Sequence, residues 1–124
     1  MKKTINGTSY NFEFGIKFLR ELDKLFAPEV SGMQMKYGFG LDLTINTLIS
    51  AQPQIVSNYL LAANSTETPR IGQEELDAWI EDQEDIEPIA SEIVEAMEAK
   101  NMLAKKVKAA KASLEAAQKE ENEN

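Results

Sequence analysis

The stretch from Ile5 to Leu22 reads INGTSYNFEFGIKFLREL and changes from a strand pattern to a helix pattern at a single glycine. Before Gly15, apolar and polar residues alternate, which is the period of a half-buried strand. After Gly15, apolar residues recur at steps of three and four, which is the period of an amphipathic helix. The stretch therefore predicts a short β-hairpin that leads directly into a helix.

The predicted hairpin turns at Asn6-Gly7, because both central positions of a type I′ turn require a positive φ, which Asn and Gly tolerate. A two-residue turn at this point pairs Ile5 with Thr8 and fixes the register of both strands. In that register the apolar side chains of the hairpin share one face, which consists of Met1, Ile5, Tyr10, Phe12 and Phe14.

An isolated two-stranded hairpin is only marginally stable in water, so its apolar face needs something to pack on. The nearest element is the helix that follows, whose apolar stripe begins at Phe18. The outer edge of either strand would still be open to a partner strand. We predict a hairpin-helix core formed by Ile5, Tyr10, Phe12, Phe14, Phe18 and Leu22.

Apolar residues at helical spacing predict further helices over residues 41–51, 53–63 and 72–82, and from Asp85 onward. The second of these begins with Pro53, which suits a first helical position because no amide hydrogen is needed there. The expected fold is mainly α: an N-terminal β-hairpin packed on a bundle of about four to five helices, with a long C-terminal helix.

The last predicted helix carries a heptad seam from Ile86 to Ala117. Its weakest point is Lys100, which stands where an apolar side chain is expected. We expect a hairpin plus helical domain over residues 1–98. Residues 99–124 are expected to extend the C-terminal helix and to end in a frayed acidic tail.

The segment over residues 29–40 predicts a connecting loop that is unusually apolar. Two interpretations are open, because such a loop either folds onto the core or presents methionine and aromatic side chains to a partner. The distal part of the heptad seam offers a second apolar surface. The candidate partner-binding residues are Met33, Met35, Tyr37, Phe39, Leu103, Val107 and Leu114.

The composition argues against most catalytic chemistry. The 124 residues include no histidine and no cysteine, so the usual base of a serine triad, a cysteine nucleophile and the common zinc ligands are missing. No glycine-rich phosphate-binding motif is present either. We predict a protein that is not an enzyme, has no catalytic or metal-binding residues, and needs no cofactor.

The charge argues against two classes of partner. A net charge of −8 repels nucleic-acid phosphates and anionic lipids, and no run approaches the roughly 20 apolar residues of a membrane helix. Charge is also segregated, since residues 74–98 contain acidic but no basic residues, whereas lysines recur over residues 100–111. This order suits the dipole of a helix, or it forms a charged docking surface for another helix.

Several motifs together resemble one family. They are the Asn6-Gly7 turn, the segment FGIKFLRELD over residues 14–23, GFGL over 38–41, Pro69-Arg70, and LDAWIED over 76–82. In this combination the chain is similar to the tail assembly chaperones of long-tailed phages and prophages of Gram-positive bacteria, in their short, non-frameshifted form.

That resemblance implies a non-enzymatic chaperone that binds and solubilises the tape measure protein and helps recruit the major tail tube protein during tail morphogenesis. It implies action in the host bacterial cytoplasm and absence from the mature virion. The other implied partners are a longer, frameshifted form of the same chain and further copies in a homo-oligomer; nucleic acid and membranes are not expected. The alternative interpretation is a small structural tail or head-completion subunit that stays in the virion.

Overall fold

The computed structural model describes residues 1–26 and 39–123, which form two strands and six helices. The predicted fold class is confirmed: an N-terminal hairpin precedes a helical bundle that ends in a long helix. In chain order the elements are β1 (Lys2–Ile5), β2 (Thr8–Asn11), α1 (Ile16–Phe26), α2 (Phe39–Ile49), α3 (Pro53–Asn64), α4 (Gln73–Glu81), α5 (Glu87–Glu98) and α6 (Asn101–Glu123).

The hairpin has the predicted turn and register. Asn6 and Gly7 have φ values of 52° and 83°, and Ile5 pairs with Thr8. The positive φ at both positions is the reason why this dipeptide is favoured in the turn. Beyond the strands, the amide of Phe12 donates to the carbonyl oxygen of Met1 at 2.9 Å, which lengthens the ribbon by one pair.

The residues that directly follow β2 pack on α1 and α3. The ring of Phe14 contacts that of Phe18 edge-on, with the centroids 5.0 Å apart, and Phe18 lies 5.7 Å from Tyr59 of α3. The amide of Glu13 donates to the carbonyl oxygen of Ala63 at 2.8 Å, which ties the end of the ribbon to the end of α3. The aromatic ribbon is therefore an integral part of the core.

Asn64 at the end of α3 holds three separate parts of the chain together. Its Nδ2 donates to the carbonyl oxygens of Asn11 at 2.9 Å and Pro69 at 3.2 Å, and its Oδ1 accepts from the amide of Ile71 at 2.8 Å. The residue is buried. Because a buried amide side chain must be hydrogen-bonded, these contacts fix β2 and the segment after α3 to the core.

Helices α1 and α2 approach each other unusually closely at Gly40. A Cβ atom at this position would lie 2.8 Å from both the carbonyl carbon and the oxygen of Leu22, which are backbone atoms of α1. The amide of Gly40 also donates to Oδ1 of the buried Asp23 at 2.8 Å. The helical pattern assigns Asp23 to the polar side of α1. Its carboxylate thus accepts a hydrogen bond from one of the amides in the first turn of α2 that have no partner within the helix.

The predicted single helix from Ile86 to Ala117 is corrected to two helices, α5 and α6, joined by a turn at Ala99 and Lys100. The amide of Ala99 still donates to Glu95, and the amide of Leu103 already donates to Lys100, so one helix ends where the next begins. Side chains at the two ends of the pair line one groove, which shows that α6 runs back along α5.

The reversal has a physical reason. A straight helix over residues 87–123 would be about 55 Å long at 1.5 Å per residue, and one half of its seam would lie outside the domain. Folding back buries Ile93 and Met97 of α5 together with Leu103 and Val107 of α6 in one core. The reversal occurs at the charged Lys100. The predicted division into residues 1–98 and 99–124 stays a prediction; its boundary falls in this turn.

Candidate functional site

Four of the predicted partner-binding residues belong to the apolar segment over residues 29–40. Met33, Met35 and Tyr37 lie outside the described residues. Phe39 begins α2, and its side chain lies outside them as well. Their role as partner contacts stays a prediction.

The other three predicted partner-binding residues lie on α6 and differ in burial. Leu103 is 2% exposed and Val107 is fully buried, so both belong to the core of this chain. A partner could contact them only if α6 moved away from α2 and α5. Leu114 is half-buried and lines an open groove, so a partner can reach it without such a movement.

That groove lies between the end of α2, the first half of α5 and the second half of α6, and has a volume of about 700 Å³. Ile49 and Leu114 form its apolar floor. A smaller pocket of about 150 Å³ shares Ile49 with it and reaches the buried Val94. We call this surface the α5–α6 groove; its polar lining residues are Ser50, Glu87, Ser91, Lys111, Glu115 and Gln118.

The α5–α6 groove carries an excess of negative charge. Glu87 and Glu115 line it as exposed carboxylates, and Glu95 lines the adjoining pocket. The cation among the described lining residues is Lys111, whose ammonium pairs with the carboxylate of Glu98. The charges that remain available to an incoming molecule are therefore acidic.

Much of the lysine segment predicted as a charged docking surface contacts acidic residues of this chain. The ammonium of Lys100 pairs with Glu13, and that of Lys106 lies 2.6 Å from Oδ1 of Asp42. Partly exposed pairs of this kind contribute about 0–1 kcal/mol each, because water screens them. The main effect of these ion pairs is to orient α6. The side chains of Lys105 and Lys108 are exposed and form no ion pair in the described part of the chain.

A second groove of about 540 Å³ lies between the last turn of α1, the first half of α3 and α4. Ile55 and Ile80 provide apolar lining. Asp77 accepts a hydrogen bond from the hydroxyl of Ser57, and Glu81 is exposed at the rim. Among the described residues that line this α3–α4 groove none is basic, so it too favours cationic partners.

The six residues predicted to form the hairpin-helix core are all buried, with exposures between 0% and 6%. They line neither groove. Their effect on the candidate site is indirect, because they hold α1 and α3 in place. These residues are Ile5, Tyr10, Phe12, Phe14, Phe18 and Leu22.

A buried polar network inside the bundle is fully satisfied. The hydroxyl of Tyr59 lies 2.9 Å from Oγ1 of Thr44, which in turn donates to the carbonyl oxygen of Gly40 at 2.7 Å. Burial raises the pKa of the Tyr59 hydroxyl above its ordinary value, the hydrogen bond with Thr44 opposes the rise, and the charge of Asp42 adds to it. The network therefore keeps a neutral tyrosine in the core and stabilises the fold.

The described ranges carry neither a carboxylate cluster suited to a metal ion nor a helix suited to crossing a membrane. Residues 1–26 and 39–123 contain no group of three or more acidic side chains that could hold a metal ion. None of the helices in those ranges has the length and apolar character needed to cross a membrane. The two grooves are concave surfaces in this part of the chain that could receive another molecule.

Comparison with known proteins gives one match. The family described as "Phage tail assembly chaperone protein, TAC" matches residues 3–111, which is most of the chain and includes both grooves except for the last turns of α6. No curated protein matches the chain, and no solved structure does.

Proposed function

The chain belongs to the phage tail assembly chaperone family, and on that premise we propose that it binds the tape measure protein in the host cytoplasm and keeps it soluble. It also helps to recruit subunits of the major tail tube protein during tail morphogenesis. The observation that carries the proposal is the family match over residues 3–111 of 124. A chaperone role is a non-catalytic one, so we interpret the two grooves as binding surfaces.

The proposed action is multivalent and reversible. Many copies cover successive apolar segments of one long client, and tube subunits later displace them. Weak individual contacts are adequate, because repetition along a single client raises the overall avidity. The net charge of −8 opposes association of the chaperone with itself while the client is being covered.

The proposed contacts combine the apolar residues that the sequence singles out with the open groove. Leu114 supports this assignment because it is accessible and has Ile49 beside it in the α5–α6 groove. Met33, Met35, Tyr37 and Phe39 are proposed as a second contact. A longer, frameshifted form of the chain and further copies of itself complete the proposed set of partners.

Co-expression tests the proposal. The tape measure protein of the same phage is expressed with this chain, with an unrelated acidic helical protein, or by itself. We expect this chain alone to raise the soluble fraction of the tape measure protein and to elute with it in gel filtration. Equal solubility in all three conditions would contradict the proposed client.

Purified virions separate the chaperone from a structural subunit. A chaperone that leaves during assembly is absent from mature particles but present in lysates of infected cells. Mass spectrometry of both samples should find the chain only in the lysate. Recovery of a fixed number of copies per virion would instead favour the alternative, a small tail or head-completion subunit.

A further inference from the structure

We infer that the α5–α6 groove binds an amphipathic helix whose apolar stripe is flanked by lysine or arginine residues. The inference rests on the proposed function and adds the chemistry of the client segment and the surface that binds it. Three features of the described residues support it: the apolar floor of the groove, its dimensions and its charge.

The floor suits an apolar helical stripe. Ile49 is contributed by α2 and Leu114 by α6, and both are half-buried, while Val94 of α5 lies at the bottom of the adjoining pocket. Helices α2 and α6 thus each contribute one apolar side chain to the groove, and α5 contributes one to the adjoining pocket. Binding would bury the apolar surface that Ile49 and Leu114 still present to water, which is the usual energy source for a helix in a groove.

The dimensions suit about three turns of helix. In a helix of about 10 Å diameter, the half that faces a groove has a volume of roughly 210 Å³ per turn. Three turns of such a half-cylinder therefore fill roughly 630 Å³. The groove measures about 700 Å³.

The charge determines which helix is favoured. Glu87, Glu95 and Glu115 line the groove and its adjoining pocket, whereas the ammonium of Lys111 is already paired with Glu98. Basic residues beside the apolar stripe of a partner would meet these carboxylates, and acidic ones would be repelled. The occupant is therefore a cationic amphipathic helix.

The same charge disfavours a second copy of this chain as the occupant. The exposed end of α6 carries Glu115, Glu120 and Glu121 against the single Lys119. Inserting that end into the groove would bring acidic residues against acidic residues. The lysines at 100, 106 and 111 are paired within their own chain.

Two matched peptides provide the first test. Each is a fluorescently labelled helix-forming peptide of about 15 residues, long enough to form a helix on binding, with leucines at helical spacing. One carries lysine beside the leucines, and the other carries glutamate at the same positions. Full-length protein should bind the lysine peptide about tenfold more tightly in low salt, and the difference should shrink at about 0.5 M salt because the charges are screened.

Charge reversal locates the site. Glu87→Lys combined with Glu115→Lys should weaken binding of the lysine peptide about tenfold and create binding of the glutamate peptide. The matched control combines Glu74→Lys with Asp82→Lys, which changes the net charge equally at two exposed positions that line neither groove. The control should change either affinity less than about threefold, since its charges lie away from the bound peptide.

Leu114→Gln tests the apolar floor and should weaken binding of the lysine peptide about fivefold, because the apolar contact is lost while the charges remain. Circular dichroism checks that each variant keeps its helices. If Leu114→Gln fails to fold, the two charge variants still decide the question, because all four of their positions are exposed.

Three results would overturn the inference. Equal loss of affinity in both charge variants would mean that peptide binding depends only on the net charge of the protein and not on the groove. A concentration-dependent dimer that Leu114→Gln abolishes would mean that a second copy fills the groove. If the groove variants still solubilise the tape measure protein, the inference fails and the proposed function stands. If the wild type discriminates between the peptides but does not solubilise the tape measure protein, the proposed function fails and the inference about the groove is still supported.

Discussion

Replacement of Gly40 by alanine probes the closest helix contact in the bundle. The added Cβ would lie 2.8 Å from two backbone atoms of Leu22 and 3.0 Å from the amide nitrogen of Asp23. Carbon atoms in good contact are about 3.5–4.0 Å apart, so α1 and α2 would have to separate by roughly 0.7–1.2 Å. Because the obstacle is backbone, no side-chain rotation can relieve it.

The expected cost follows from two opposing effects. Alanine favours a helix over glycine by about 1 kcal/mol, which taken alone would stabilise α2. Overpacking of this kind costs about 1–3 kcal/mol, and the separation also lengthens the 2.8 Å hydrogen bond from the Gly40 amide to Asp23. A lost bond to a buried charged group costs a further amount of about 1.5–3 kcal/mol if it breaks completely. We expect a net destabilisation of about 1–3 kcal/mol.

Urea unfolding followed by circular dichroism measures this change as a lower midpoint at unchanged slope. The matched control is Asn46→Ala, an exposed position in the same helix, where only helix propensity changes and the stability should rise by a few tenths of a kcal/mol. If Gly40→Ala were as stable as the wild type or more stable, the close approach of α1 and α2 at this glycine would be refuted.

Four other predictions concern the ribbon, the polar contacts and one helix end. Deletion of residues 1–14 should abolish cooperative unfolding, because it removes much of the aromatic core; a folded shortened protein that no longer assembles would instead assign the ribbon to a binding edge. Asn64→Ala should cost about 2–4 kcal/mol in urea unfolding, since it leaves buried backbone groups without partners, and a cost below about 1 kcal/mol would contradict these contacts. Burial raises the pKa of the Tyr59 hydroxyl in the folded protein, so the neutral tyrosine contributes its full stabilisation below the pKa of about 10 that it has in the unfolded chain. As the pH rises above that value, this stabilisation is lost by at most about 1.4 kcal/mol per pH unit. Tyr59→Phe should make stability between pH 9 and about 11 less steep, and an unchanged slope would argue against this cause. Ala51 lies two residues after the end of α2 and has a φ of 60°, so Ala51→Gly should raise the free energy of unfolding by about 0.5–1 kcal/mol, and a loss would show that the lost methyl contacts outweigh the relief of strain.

Local patterns predicted most of the secondary structure. The Asn6-Gly7 turn and the register of the ribbon follow from backbone conformation, which a dipeptide largely determines. The helices predicted over 41–51 and 72–82 are observed as Phe39–Ile49 and Gln73–Glu81, because helical periodicity reports which face is buried and is less informative about ends.

The candidate site was only partly predictable. The sequence singled out Leu114 through its place in the heptad seam, but Ile49 and Glu87 carry no signal that distinguishes them from other apolar and acidic residues of their helices. They come together because α2, α5 and α6 pack side by side. Leu103 and Val107 belong to the same seam as Leu114, and their burial depends on where α6 lies.

The sequence by itself determined the elements of this protein: an aromatic ribbon, amphipathic helices, an acidic surface, and a composition without histidine or cysteine. Each of these depends on residues close together in the chain or on totals over the chain. Only the tertiary structure decided that the seam from Ile86 to Ala117 folds back at Lys100, that Asp23 and Gly40 join α1 to α2, and that an acidic groove with an apolar floor opens beside Leu114. These features depend on contacts between residues far apart in sequence. The free energy gained by burying two apolar faces together exceeds the helix propensity that favours continuing a local helical pattern.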